Sequence, residues 1–215
     1  MAARKALLAA TAVAVLTFVV ACDGDTQTQP PPTSTTRSSP ATTTTTSNPA
    51  LPTHGAPRVT DPLDAEAFAD EPCTSLTATQ LKSLRLGAGH EGRGEDFDTS
   101  DWSCKHLGVG SARALSVSVN YYPNISTGLS YLYEEHADGE WPQWRPTEVD
   151  GYPAVFYSDK DPVPSPYECR LDVGISDSSL VNIWVLYVSH NRLPDTCAAA
   201  TKAAQAVLST IKSVS

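Results

Sequence analysis

Positive charge is scarce in this 215-residue chain: 15 Lys and Arg stand against 24 Asp and Glu, a formal net charge of −9. Displacing counterions from phosphates needs a basic face, so nucleic acid is excluded as a partner. Adhesion to anionic lipid by charge alone is excluded for the same reason. The chain also has no CxxC, no His pair at zinc spacing, no HExxH and no GxSxG. The usual sequence signs of a metal centre, a redox dithiol and a serine nucleophile are therefore missing. No cofactor, metal or catalytic residue is expected.

What is present starts at the N-terminus. Arg4 and Lys5 precede an apolar or small-residue run, Ala6 to Val20, as long as a signal-peptide core and short for a bilayer span. It ends in Val19-Val20-Ala21-Cys22, followed by Asp23-Gly24-Asp25. These residues resemble a bacterial lipobox, which implies a signal peptide over 1–21 and a diacylglycerol on the Cys22 sulfur. A thiolate suits that chemistry as the strongest side-chain nucleophile near neutral pH. Two acyl chains, at about 0.8 kcal/mol per buried CH₂, anchor stably where one does not. The lipidated Cys22 then opens a tether over 22–57. Of residues 23–57, 22 of 35 are Thr, Ser or Pro, too polar to offset the entropy of ordering the backbone. As a flexible coil it would span on the order of 30 Å.

Residues 58–215 suit a single domain. Its four cysteines, Cys73, Cys104, Cys169 and Cys197, in an exported chain read as two disulfides. Three connectivities are open. Cys73 and Cys197 each precede a helical pattern and Cys104 and Cys169 lie in strand patterns, which favours Cys73–Cys197 with Cys104–Cys169 over the sequential pairing.

Thr77-Ala-Thr-Gln80 reads as a capping box, opening a helix with Leu81, Leu84 and Leu86 on its apolar face and Gly87 as its stop. Strands are predicted over 102–107, from Leu115 to Tyr121 by their period-2 alternation, over 153–157, over 167–175 and over 180–188. Ser126 or Thr127 caps a helix carrying Leu129, Leu132 and Tyr133. Asp195 caps a long helix through Val214 with Ala200, Ala203, Ala204, Val207 and Ile211 facing inward. The fold class is α+β: a mostly antiparallel sheet of about five strands with packed helices.

The segments Pro62-Leu63-Asp64, Glu71-Pro72-Cys73, Leu76-Thr77-Ala-Thr-Gln80-Leu81, Cys104, Gly151-Tyr152-Pro153-Ala154-Val155, Cys169-Arg-Leu-Asp-Val173-Gly-Ile-Ser-Asp177 and Asp195-Thr-Cys197 resemble an actinobacterial lipoprotein family, domain of unknown function 3558. The resemblance implies an exported lipoprotein with these four cysteines and a Mog1/PsbP-like α+β domain. It implies no activity.

Gly87-Ala-Gly89-His-Glu-Gly92 matches GxGxxG by letter, but a dinucleotide fingerprint needs a strand before it and a helix after it. The acidic stretch Glu91 to Asp101 lacks the glycine and distal Glu of a calcium loop and reads as solvated. Trp141, Trp144 and Tyr152, interleaved with Pro142 and Pro146 in a loop, are the candidate ligand-binding residues, suited to an apolar or sugar-like ligand or a partner protein. The expected function is a non-catalytic lipoprotein, lipid-anchored on the extracytoplasmic face of the cell membrane, binding an envelope ligand or partner protein. The alternative is an envelope hydrolase whose site assembles only in the fold.

Overall fold

The computed structural model describes residues 50–93, 102–112, 114–122, 124–159, 167–187 and 195–215. The leader over 1–21, Cys22, most of the tether, the acidic residues from Glu95 to Asp101 and His190 lie outside the described residues.

Seven strands are described: β1 (Leu86–Arg93), β2 (Trp102–Gly108), β3 (Leu115–Tyr121), β4 (Gln143–Val149), β5 (Tyr152–Ser158), β6 (Glu168–Gly174) and β7 (Leu180–Tyr187). They form one sheet in the order β1-β2-β3-β7-β6-β5-β4, antiparallel at every step. The helices are α1 (Glu66–Asp70), α2 (Ala78–Leu84), α3 (Leu129–Ala137) and α4 (Thr196–Lys212), with a 3₁₀ turn at Pro72–Ser75.

The sheet thus has seven strands where about five were expected, and the two extra ones are its edges. β1 reads Leu-Gly-Ala-Gly-His-Glu-Gly-Arg and β4 reads Gln-Trp-Arg-Pro-Thr-Glu-Val. Neither alternates cleanly, because an edge strand is paired on one side only and tolerates glycine, charge and proline. The helix before β1 stops at Arg85, in the left-handed conformation (φ 58°), rather than at Gly87, which already belongs to β1. The GxGxxG letters therefore lie in a strand and meet no helix N-terminus.

Alternation sorts the side chains onto two faces. On β5, Ala154 and Phe156 join the main core while Val155 and Tyr157 pack with Leu132 of α3 on the other side. Strand β5 is buried along its whole length because it is covered from both faces. On the first face lie α4 and the main core, with Val117, Val119, Leu171, Val173, Ile183 and Val185 against Ala200, Ala203, Ala204, Val207 and Ile211. All five of these α4 residues were expected to face inward, and all are buried.

The disulfides follow the sequential pairing, Cys73–Cys104 and Cys169–Cys197, not the expected crossed one. Cys104 projects from β2 towards the 3₁₀ turn that holds Cys73, and Cys169 projects from β6 towards the first turn of α4. Which strand lies beneath which helix start is set by sheet order, and that is not encoded locally. The separations of 31 and 28 residues correspond to about 3.5 kcal/mol each in the chain-entropy picture, a model-dependent figure.

The expected capping box is present: Gln80 N–H donates to Thr77 Oγ1 (3.3 Å) and Thr77 N–H to Gln80 Oε1 (2.7 Å). Gln80 Nε2 also donates to the Ala206 carbonyl (2.8 Å), so the cap fastens α2 to α4. Thr77→Ala is expected to lower stability by about 1 kcal/mol in urea unfolding, with Thr77→Ser close to wild type.

Order begins ahead of residue 58. Thr53 N–H donates to Ser130 Oγ (2.9 Å), and Ala56 packs with Leu129 and Leu180. The last residues assigned to the tether are therefore part of the folded unit.

Candidate binding site on the second face of the sheet

Strand β6 turns Cys169, Leu171 and Val173 towards α4, so Arg170 and Asp172 fall on the opposite face. Register then builds two rows there. One runs Trp144–Tyr157–Arg170–Trp184–Ser118 and the other Val155–Asp172–Asn182–Asn120. The nine-residue α3 covers the β5 end of these rows with Leu132 and Tyr133. Arg170 and Trp184 stay partly exposed.

The second row is a buried polar chain. Asn120 Nδ2 donates to Asn182 Oδ1 (2.6 Å), Asn182 Nδ2 donates to Asp172 Oδ1, and the Tyr157 hydroxyl donates to the same oxygen (3.3 Å). Asp172 is 3% exposed. Loss of water raises its pKa to about 7, against the lowering effects of Asn182, Tyr157 and Arg170. The Tyr157 hydroxyl is pushed well above its usual range, first by burial and then by the neighbouring Asp172.

The first row is aromatic and cationic. The Arg170 guanidinium carbon lies 5.2 Å from the Trp184 ring centroid and 5.9 Å from that of Trp141. Trp141 packs edge-on to Tyr157 (4.8 Å), and its Nε1–H donates to Glu135 Oε2 (2.9 Å). Its carbonyl accepts from His136 Nδ1 (2.9 Å).

The three sequence-derived residues are not gathered in one place. Trp141 is not a member of the row but lies beside it, its ring against the Arg170 guanidinium. Trp144 heads the row, but its ring is stacked on His136 (4.2 Å) and meets Tyr133 edge-on (5.0 Å), fixing β4 to α3. Tyr152 is on the other face, 4% exposed in the main core, with Lys212 Nζ 4.6 Å from its ring centroid. The segment expected to be a loop is largely β4, and strand alternation parts its aromatics. Arg170, Asp172, Asn182 and Trp184 were missed. The available signal was the polar residues breaking otherwise apolar β6 and β7, which fall side by side only once the two strands are paired.

Apart from His136, the described histidines lie away from this cluster. His106 is fully buried, bonded to the Gly87 carbonyl (3.1 Å) and against Cys104 Sγ (3.3 Å), and burial lowers its pKa. His54 faces Glu134 at 3.7 Å, and His90 is exposed on β1. Among the described residues no His, Cys, Asp and Glu cluster could hold a metal, and no helix is long and apolar enough to cross a membrane. A separate cleft of about 350 Å³ between α2 and α4 is lined by Leu84, Leu86, Leu115, Val117 and Ala203, with Arg85 and Lys202 exposed at its edge.

A family model described as a protein of unknown function (DUF3558) matches residues 17–210. No curated protein and no solved structure matches the chain.

Proposed function

The chain belongs to DUF3558, a family of proteins of unknown function whose model spans residues 17–210, and from that premise we propose that it is a lipid-anchored envelope binding protein. In this reading the leader over 1–21 is removed and the Cys22 thiol carries the acyl chains. The domain, an actinobacterial lipoprotein module of Mog1/PsbP-like α+β type, stands outside the membrane on its tether. It is non-catalytic and holds a wall component or partner protein against the Trp141–Arg170–Trp184 cluster.

Two disulfides support an oxidising compartment, since reducing cytosol keeps thiols free. The observation that carries the binding role is the part-exposed cluster of Trp141, Arg170 and Trp184 on a sheet whose opposite face is filled by the core. Half-exposed Trp and Arg are the residue types that dominate recognition energy.

Cys22→Ala is expected to move the protein from the membrane fraction to the soluble one, or to leave the leader uncleaved. Unchanged fractionation and an unchanged N-terminal peptide mass would refute the anchor. For the binding role, hydrogen exchange should be slower over 167–187 and 139–145 in native envelopes than in purified protein. Equal exchange in both would remove the site.

A further inference from the structure

The cleft between α2 and α4 belongs to the first face of the sheet, apart from the Trp141–Arg170–Trp184 cluster. Its volume of about 350 Å³ is that of a small-molecule pocket. The turn at Arg85 shapes it. A regular helix or strand cannot aim three consecutive residues at one space. The left-handed residue that joins α2 to β1 does so, and Leu84, Arg85 and Leu86 all line the cleft. Among the other apolar residues lining it, Val117 and Ala203 are buried, while Leu115 and Ala199, like Leu84, are only partly covered. Apolar side chains left half wet around a concave space favour an apolar occupant.

Two cations stand exposed at the edge of this space, Arg85 and Lys202. Among the described residues neither makes an ion pair. The Lys202 ammonium donates no hydrogen bond there, and Arg85 donates only from Nη1 to Ser111 Oγ, which leaves most of its fork free. The one acid among the lining residues is Asp195. Its Oδ1 accepts from Ala198 N–H, and it stands two helical turns before Lys202, about 10 Å along the axis. In a chain of net charge −9, two cations without counter-charges at one apolar cleft complement an anion. We propose that the α2–α4 cleft binds a single-chain amphiphile, its alkyl tail against Leu84, Leu115 and Ala199 and its anionic head at Arg85 and Lys202. Carboxylate and phosphate heads share the oxyanion chemistry that a guanidinium and an ammonium hold. The site goes beyond the second-face role proposed above and does not rest on it.

The test titrates the full chain with decanoate, decyl phosphate, neutral decyl maltoside and acetate, each below its micellar concentration, following the methyl resonances of Leu84, Leu115 and Ala203. Either decyl anion should shift them saturably, with a dissociation constant on the order of 0.1 mM. The tighter of the two identifies the head group. Decyl maltoside, which lacks the charge, and acetate, which lacks the tail, should each bind at least about tenfold more weakly. Octanoate loses two CH₂ groups and should bind about tenfold more weakly than decanoate. Arg85→Asn removes the charge with a residue that tolerates the left-handed turn, and Lys202→Gln keeps a good helix former. Each should weaken decanoate by about three- to tenfold while melting near wild type. Ala199→Phe fills the cleft without touching either cation and should abolish the saturable shifts. The inference is overturned if no amphiphile shifts these methyls, if decyl maltoside binds as tightly as decanoate, or if the double variant of Arg85 and Lys202 binds decanoate normally. Concentration-dependent shifts of the same methyls with no amphiphile added would assign the cleft to a second copy of the chain and overturn it equally.

Discussion

Gly89→Ala is expected to cost at least about 3–5 kcal/mol. Gly89 lies in β1 opposite His106 of β2, and the Cys73–Cys104 bridge passes directly over it. A Cβ there would sit 2.1 Å from Cys104 Sγ and 2.7 Å from both Cys73 Sγ and His106 Cε1. No rotamer relieves such a contact, because the bridge is tied at both ends and His106 is fully buried. Either β1 leaves the sheet edge or the bridge fails to close. Thermal unfolding with free-thiol titration separates the two outcomes: intact thiol count with a lowered midpoint means strand loss, and two free thiols mean a broken bridge. Gly92→Ala, whose Cβ would meet only Ser103 Oγ at 3.1 Å, should lie within about 1 kcal/mol of wild type. A Gly89→Ala protein with wild-type melting and both bridges formed would contradict this account of β1.

Asp172→Asn is expected to flatten the pH dependence of stability. Burial raises the folded-state pKa of Asp172 from 3.8 to about 7, so the folded protein holds that proton more tightly than the unfolded chain. A group shifted upward contributes its full stability below the unfolded value and loses it as pH rises through the folded one. From Asp172 alone, wild-type stability should decline between pH 4 and 8, by on the order of 4 kcal/mol at one pKa unit per 1.36 kcal/mol. His106 acts in the opposite sense. Its pKa is lowered by burial, so its contribution is present above its ordinary value of 6.5 and is lost on acidification. The difference between wild type and Asp172→Asn, measured by urea unfolding at several pH values, isolates the carboxyl. Asparagine keeps the oxygen that accepts from Asn182 and Tyr157 and never ionises, so its curve should lack the neutral-pH decline. Parallel curves for the two proteins would show that Asp172 is ionised in the fold.

The same carboxyl lies one row from Arg170 on the second face. There Arg170 favours the charged carboxylate, opposing the upward push of burial on the Asp172 pKa.

Periodicity and caps disclosed most of this molecule, and the features they disclosed share a cause. The alternation of β3, the Thr77–Gln80 cap, the Asp195 side chain accepting from Ala198 N–H, and the inward residues of α4 are each settled within a few residues of chain. The cysteine count likewise needs no partner in space to be read. What stayed hidden was long-range. The edge strands β1 and β4 carry little pattern because one side of each lacks a partner strand. The disulfide pairing depends on which strand passes beneath which helix start, and the Arg170–Trp184 pair depends on the register of β6 against β7. Sequence alone determined where α2, α4 and the inner strands lie, because backbone hydrogen bonding and burial repeat with fixed local periods. It did not show α1, and α3 starts at Gly128 with no side-chain cap from Ser126 or Thr127. Sheet order and register decided everything that brings distant residues together, including the bridge over Gly89 and the donors of the second face, because those neighbours exist only after the two meanders join at β3 and β7.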